Sequence, residues 1–141
     1  MTLPEQMEKA RAFHGHLGPW LVLGLRIGQE AVEAVGARRY FGLALEVHVP
    51  PQPPPSCILD GLQLSTGCTF GKRNIELRPA DDGRVWVRAR NTDTGDEALF
   101  QVSAEFPGEA RSRMQADGEE SASLWTWEAD ALYSRVEAPE G

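Results

Sequence analysis

Apolar residues recur along the first third of the chain at helical spacing and along much of the rest at strand spacing. Leu3, Met7, Ala10 and Phe13 share one side of a helix expected from about Pro4 to Phe13, and Thr2 and Glu5 have capping-box spacing at its start. Pro19 suits the first turn of a second helix, in which Leu21, Leu25, Gly28, Val32 and Val35 recur until Gly36 ends it. From Phe41 to Val49 the odd-numbered positions are apolar, the alternation of a half-buried strand with His48 on its other face. Ile75 and Leu77 alternate with charged neighbours, Asp82-Gly83 reads as a turn, and Val85, Val87 and Ala89 alternate in the next run, so a hairpin is expected. A turn around Thr94-Gly95-Asp96 leads into Phe100, Val102, Ala104 and Phe106, which extends the hairpin to a three-stranded antiparallel meander with the Phe41 strand at its edge. Pro107 to Ser123 is polar without period, a surface loop or weak helix. Trp125, Ala129, Leu132 and Val136 then fit one face of a terminal amphipathic helix. The expected architecture is a single α+β domain over residues 1–141, an antiparallel sheet with helices packed on one face.

Between the first strand and the hairpin, PPQPPPS from Pro50 to Ser56 is too proline-rich to extend a strand, so a new element starts at the serine. Ser56 is a good N-cap, which puts Cys57 in a first helical turn, where orphan amides and the helix dipole favour a thiolate. Asp60 follows one turn later on the same face, and Gly67 lets the chain leave the helix toward Cys68, Thr69, Gly71 and Lys72. The segment Cys57 to Asn74 thus gathers both cysteines and one of the two lysines of the chain.

Composition narrows the function. A chain of 141 residues with 41% hydrophobic content has a core for one domain. Its net charge of −7 argues against a nucleic-acid backbone or an anionic membrane as main partner. A polar start without a signal peptide and the lack of a long apolar run point to the cytoplasm, and two cysteines in a reduced compartment point to ligation or catalysis rather than a disulfide framework.

Chemistry concentrates at two places. His14 and His16 in HGHLGP lie on the same side if the segment is extended, as Gly15 and Gly18 favour. Alone, such a pair is more often structural than ligating. A thiolate-prone Cys57 changes the balance, because two imidazoles and a thiolate suit zinc or a similar divalent ion and leave a position open to water or substrate. Cys68 is either a fourth ligand that closes the site or a buried inert thiol. Asp60 is either the acceptor that orients a ligating histidine or a favourable charge at a helix start. The run GCTFGK from Gly67 to Lys72 fails as a triphosphate-binding loop: its glycines are one residue too close, and Arg73 stands where a hydroxyl must hold magnesium. Gly67, Thr69, Gly71 and Lys72 are still candidates for gripping a small anion. Cys57, Lys72 and Asp60 are the catalytic candidates if the protein is an enzyme. A non-catalytic metal carrier, sensor or accessory component of a complex is the competing class, and a thiol-redox protein using Cys57 and Cys68 is a third.

FHGHLGPWLVLGLRIG together with CILDGLQLSTGCTFGKRN resembles the core domain of the FmdE family, which takes its name from formylmethanofuran dehydrogenase. The resemblance implies a metal-binding α+β core with the histidines and the first cysteine around a cleft, one-carbon or formyl chemistry, and intertwined homodimers. Gly18 stands where many relatives carry a cysteine, Arg73 replaces a common glycine, and no cysteine follows Cys68, so the chain is similar to a core without the C-terminal zinc finger of some relatives. Trp20, Trp86, Trp125 and Trp127 are many indoles for one small domain, which adds to the expectation of a homodimer whose terminal helix crosses to the partner, or of a place in a larger enzyme complex.

Overall fold

The computed structural model describes residues 3–117 and 128–137. Helices α1 (Leu3–His14) and α2 (Pro19–Ala34) come first, followed by β1 (Leu43–Val49). A single 3-10 turn over Pro55–Cys57 leads into α3 (Ile58–Thr66), then β2 (Ile75–Pro79), β3 (Trp86–Asn91) and β4 (Glu97–Val102). The last elements are α4 (Phe106–Asp117), the short α5 (Ala129–Leu132) and β5 (Tyr133–Val136). The architecture is α+β, with a five-stranded sheet in the order β2-β1-β3-β4-β5.

The sheet is mixed. β1 pairs in parallel with β2, Leu45 opposite Ile75 and Val47 opposite Leu77, while the other three pairings are antiparallel. The expected hairpin between the Ile75 and Val85 runs is therefore not formed, and the Phe41 strand is not at the edge: β1 lies between β2 and β3. The reason is the crossover. The segment holding α3 carries the chain back along the sheet, so β2 enters parallel to β1, and β3 takes β1's other side with Val47 opposite Val87. The expected meander survives only as the β3–β4 pair, Val87 facing Phe100 and Ala89 facing Ala98. At the far edge Tyr133 pairs with Val102 and Leu99 with Val136, so the second half of the expected terminal helix is a strand. Trp125 and Trp127 lie outside the described residues.

One face of the sheet is the core. Leu43, Leu45, Val47, Val49, Val87, Ala89 and Phe100 are buried there, together with Leu21, Leu25 and Ile27 of α2. Trp20 belongs to this core and meets Phe106 of α4 edge-on at 4.8 Å. Buried Asn91 ties the helical layer to the sheet: its amide nitrogen donates to the carbonyl of Val35 (2.9 Å), and its oxygen accepts from the amides of Asp93 (2.8 Å) and Thr94 (3.1 Å).

The closest approach is between α2 and α3. A Cβ on Gly24 would stand 2.2 Å from the carbonyl oxygen of Ile58, and one on Gly61 2.2 Å from that of Leu21, so the two backbones touch through glycine on both sides. Ser65 Oγ donates to the carbonyl of Gly61 (3.0 Å) and reaches that of Gly24 (3.3 Å), which fastens the crossing. Gly61→Ala should cost at least about 2 kcal/mol, because the new methyl meets backbone that has no rotamer to change. Gly28→Ala should cost less, since the obstruction there includes the rotatable Ser65 hydroxyl. Urea unfolding checks both, and a wild-type midpoint for Gly61→Ala would show that this crossing is not locked.

Candidate functional site

The crossing of α2 and α3 brings the two motif segments together. His14 is the last residue of α1. Gly15 follows with φ 106° and its amide bonded to the carbonyl of Arg11 (2.8 Å), a left-handed exit that glycine makes without strain. The chain then turns so that the rings of His14 and His16 stand with centroids 5.1 Å apart and planes tilted by 46°. Gly18 lies against the second ring: a Cβ there would be 3.1 Å from His16 Nε2. From α3, Asp60 reaches His14, with Oδ2 2.6 Å from Nδ1. The imidazole is mostly buried and the carboxylate about one-third exposed. His14, His16 and Asp60 thus form one corner, and Asp60 acts on Cys57 as well.

Cys57 differs from its sequence expectation. Ser56 sits inside the 3-10 turn and not at a helix N-cap; Cys57 itself precedes α3, and no side chain caps that end. Burial pushes the Cys57 thiol up, and the nearby Asp60 carboxylate raises it further. The free-standing thiolate expected from helix position is not favoured. A terminal dipole contributes about 0.3–1 kcal/mol at an exposed helix end, and here desolvation and a like charge oppose it.

Cys68 is fully buried. Its Sγ donates to the carbonyl of Leu43 (3.2 Å), its amide donates to Thr66 Oγ1 (3.0 Å), and burial raises its thiol as well. Both cysteines are free thiols.

The loop from Gly67 to Asn74 is held by its own hydrogen bonds. Gly67 has φ 81° and closes α3, as its sequence position suggests. The amide of Gly67 donates to the carbonyl of Gln63, that of Thr69 to Asn74 Oδ1 (2.9 Å) and that of Phe70 to Gln63 Oε1 (2.9 Å). The amides of Lys72 and Arg73 bond back to the carbonyls of Thr69 and Phe70 at 3.1 Å each. These donors are spent on the fold, so the anion cradle expected of Gly67, Thr69 and Gly71 is largely closed. Lys72 Nζ donates to Thr69 Oγ1 (3.2 Å) and stands 5.5 Å from the centroid of the Phe41 ring and 5.8 Å from that of Tyr40.

Sequence reasoning missed Gln63 and Asn74 as the clamps of this loop, because each serves a donor whose position only the tertiary fold sets. It also missed what His48 does. His48 Nε2 lies 2.6 Å from Glu46 Oε1, and its ring stacks on Trp86 at 3.6 Å, nearly parallel. This hydrogen bond is the main reason the Glu46 carboxyl is held below its usual range. That cluster lies on the sheet face opposite the core.

Among the described residues, no group of three or more histidine, cysteine, aspartate or glutamate side chains is drawn together so as to hold a metal ion. The donor types present, two imidazoles and a thiol, are ones a divalent ion takes. Asp60 occupies Nδ1 of His14 and leaves Nε2, the arrangement by which a carboxylate fixes the tautomer and aim of a ligating imidazole. His16 is its neighbour, and Cys57 offers the soft donor.

Residues 13–138 match the family described as FmdE, molybdenum formylmethanofuran dehydrogenase operon. Over 68 residues, 48% of this chain, the sequence is 32% identical to a probable S-adenosyl-L-methionine-binding protein of Archaeoglobus fulgidus. That match spans 19% of the relative's length. No helix among the described residues is long and apolar enough to cross a membrane.

The burial difference between the two cysteines can be read with a thiol reagent. Native protein should lose Cys57 slowly and Cys68 only on unfolding, so one thiol titrates in buffer and the second in denaturant. Equal rates for both in buffer would contradict the buried placement of Cys68.

Proposed function

The chain belongs to the FmdE family, and on that premise we propose that it is a metal-binding protein in which His14, His16 and Cys57 hold a divalent ion, zinc first among the candidates. The observation that carries this reading is the 2.6 Å contact between Asp60 and Nδ1 of His14, beside a second imidazole with its centroid 5.1 Å away. A carboxylate on one imidazole nitrogen fixes the tautomer and aim of the ring, as beneath a metal ligand. The raised Cys57 thiol is poorly suited to redox exchange.

Such an ion supplies a Lewis-acid position that polarises a carbonyl or activates water, and the family description suggests one-carbon, formyl-level groups as its context. The chain's own residues do the rest. Asp60 orients His14, burial of Cys68 leaves it outside the ligand set, and Gly18 lets the chain pack closely against the His16 ring. Lys72, held by Thr69, is a candidate cation for a substrate's negative group. Homodimer formation belongs to the same proposal, supported by the exposed rings of Tyr40, Phe41 and Phe70.

Purified without a tag, the protein should carry close to one equivalent of metal by mass spectrometry, and His16→Ala or Cys57→Ala should abolish it. Asp60→Asn should weaken zinc binding by about 10–100-fold without removing it. Metal retained by both ligand variants would sink the assignment. Light scattering after size exclusion should give a dimer mass; a monomer mass that does not change with concentration refutes the dimer.

A further inference from the structure

A second feature adjoins the histidine corner. Between α3 and the edge strand β2 runs a groove of about 490 Å³, with Asp60 in its lining. Leu59 comes from α3, Ile75 and Leu77 from β2, and Phe70 from the loop that joins them, so the walls are largely apolar. Phe70 is 68% exposed, a large ring left standing at the rim.

The carboxylates lining the groove both have partners. Asp60 is taken by His14, and Glu76 is taken by Arg78, whose Nη2 and Nε donate to its carboxylate at 2.9 and 3.0 Å. Arg73 makes no ion pair among the described residues; its guanidinium lies over the Phe70 ring, 4.9 Å from the centroid. Its backbone has φ 61°, a left-handed conformation that glycine adopts freely and arginine at a cost of about 1–2 kcal/mol. An uncompensated guanidinium is thus held at an apolar groove by a backbone that would prefer glycine. The loop amides bonded to Gln63 and Asn74 hold that backbone in place.

We propose that this groove binds a small amphipathic anion, its apolar stem along Leu59, Phe70, Ile75 and Leu77 and its carboxylate or phosphate head on Arg73. The end remote from the anion faces Asp60 and the histidine corner. This last point rests on the metal reading given above, because it makes the groove the substrate arm of that site. Binding of the head and stem does not depend on it. Arg73 is a binding residue for the anion, with Phe70 as the ring that holds the guanidinium flat.

The test is calorimetry on the full chain with sodium octanoate, octyl phosphate, sodium acetate and 1-octanol, run on zinc-loaded and on chelator-treated protein. The informative variant is Arg73→Gly, which removes the guanidinium and relieves the backbone, so its thermal midpoint should equal or exceed that of the wild type. Octanoate or octyl phosphate should bind the wild type at least tenfold tighter than acetate or octanol, and Arg73→Gly should lose at least tenfold. Whichever of octanoate and octyl phosphate binds tighter identifies the head group. The same dependence on Arg73 after chelation supports the groove even if the metal reading fails, which metal content measures separately. Failure of both amphipathic anions to bind, equal binding by Arg73→Gly, or binding that needs zinc and ignores Arg73 overturns the proposal.

Discussion

The contact between α2 and α3 at Gly24 and Gly61 sets everything else in this molecule. Two helices normally keep their axes about 8–10 Å apart, but here each backbone fills the space where the other's Cβ would be, 2.2 Å from a carbonyl oxygen in both directions. Gly61 is the neighbour of Asp60, and α2 begins three residues after His16. The depth of the crossing therefore fixes how far the Asp60 carboxylate stands from the His14 ring. A looser crossing would separate two groups that belong to segments 46 residues apart.

Much of this was legible from the spacing of apolar residues, because periodicity reports which face of an element is buried. α2 follows it closely; in α1 the expected apolar Phe13 is exposed and β1 starts at Leu43, leaving Phe41 exposed outside it, while Gly67 ends α3 in the left-handed conformation its position suggests. Strand neighbours were not legible. Ile75-Glu76-Leu77 alternates equally well beside β1 or β3, and the Asp82-Gly83 turn is a local signal that does not say which strand lies across it. The decision belongs to the crossover through α3, a tertiary constraint. At the C-terminus Ala129, Leu132 and Val136 satisfy a helical period, yet free backbone groups of β4 take Tyr133–Val136 as an edge strand. Local period lost to sheet completion.

The candidate site divides in the same way. Residue type and spacing picked out the histidines and Cys57 as candidates, and Asp60 both contacts His14 and sits in the first turn of α3. The electrostatics of Cys57 were misjudged for a definite reason. Helix position is a local property worth a fraction of a kcal/mol, whereas burial and the Asp60 charge are supplied by the fold and act in the opposite sense. In the glycine-rich loop the side chains of Gln63 and Asn74 take the amides of Phe70 and Thr69, which the sequence could not show.

Those hydrogen bonds give the loop a different purpose. A loop whose amides were free would be an anion site in itself and would have to be mobile or solvated to remain so. Here the side chains of Gln63 and Asn74 convert it into a rigid bracket, with Asn74 Nδ2 donating to the carbonyl of Tyr40 (2.6 Å) and the Tyr40 ring lying so close on Gly67 that a Cβ would meet it at 2.3 Å. Tyr40 itself has φ 75°, so two non-glycine residues of this small region, Tyr40 and Arg73, hold left-handed backbone. Conformations of that kind persist only where surrounding bonds over-determine them. The positive charge of the region is consequently carried by the side chains of Lys72 and Arg73, fixed in place on aromatic rings, rather than by backbone dipoles. Recognition by fixed side chains at the mouth of an apolar groove selects for a ligand with a stem as well as a charge, which bare amides at a helix end would not do.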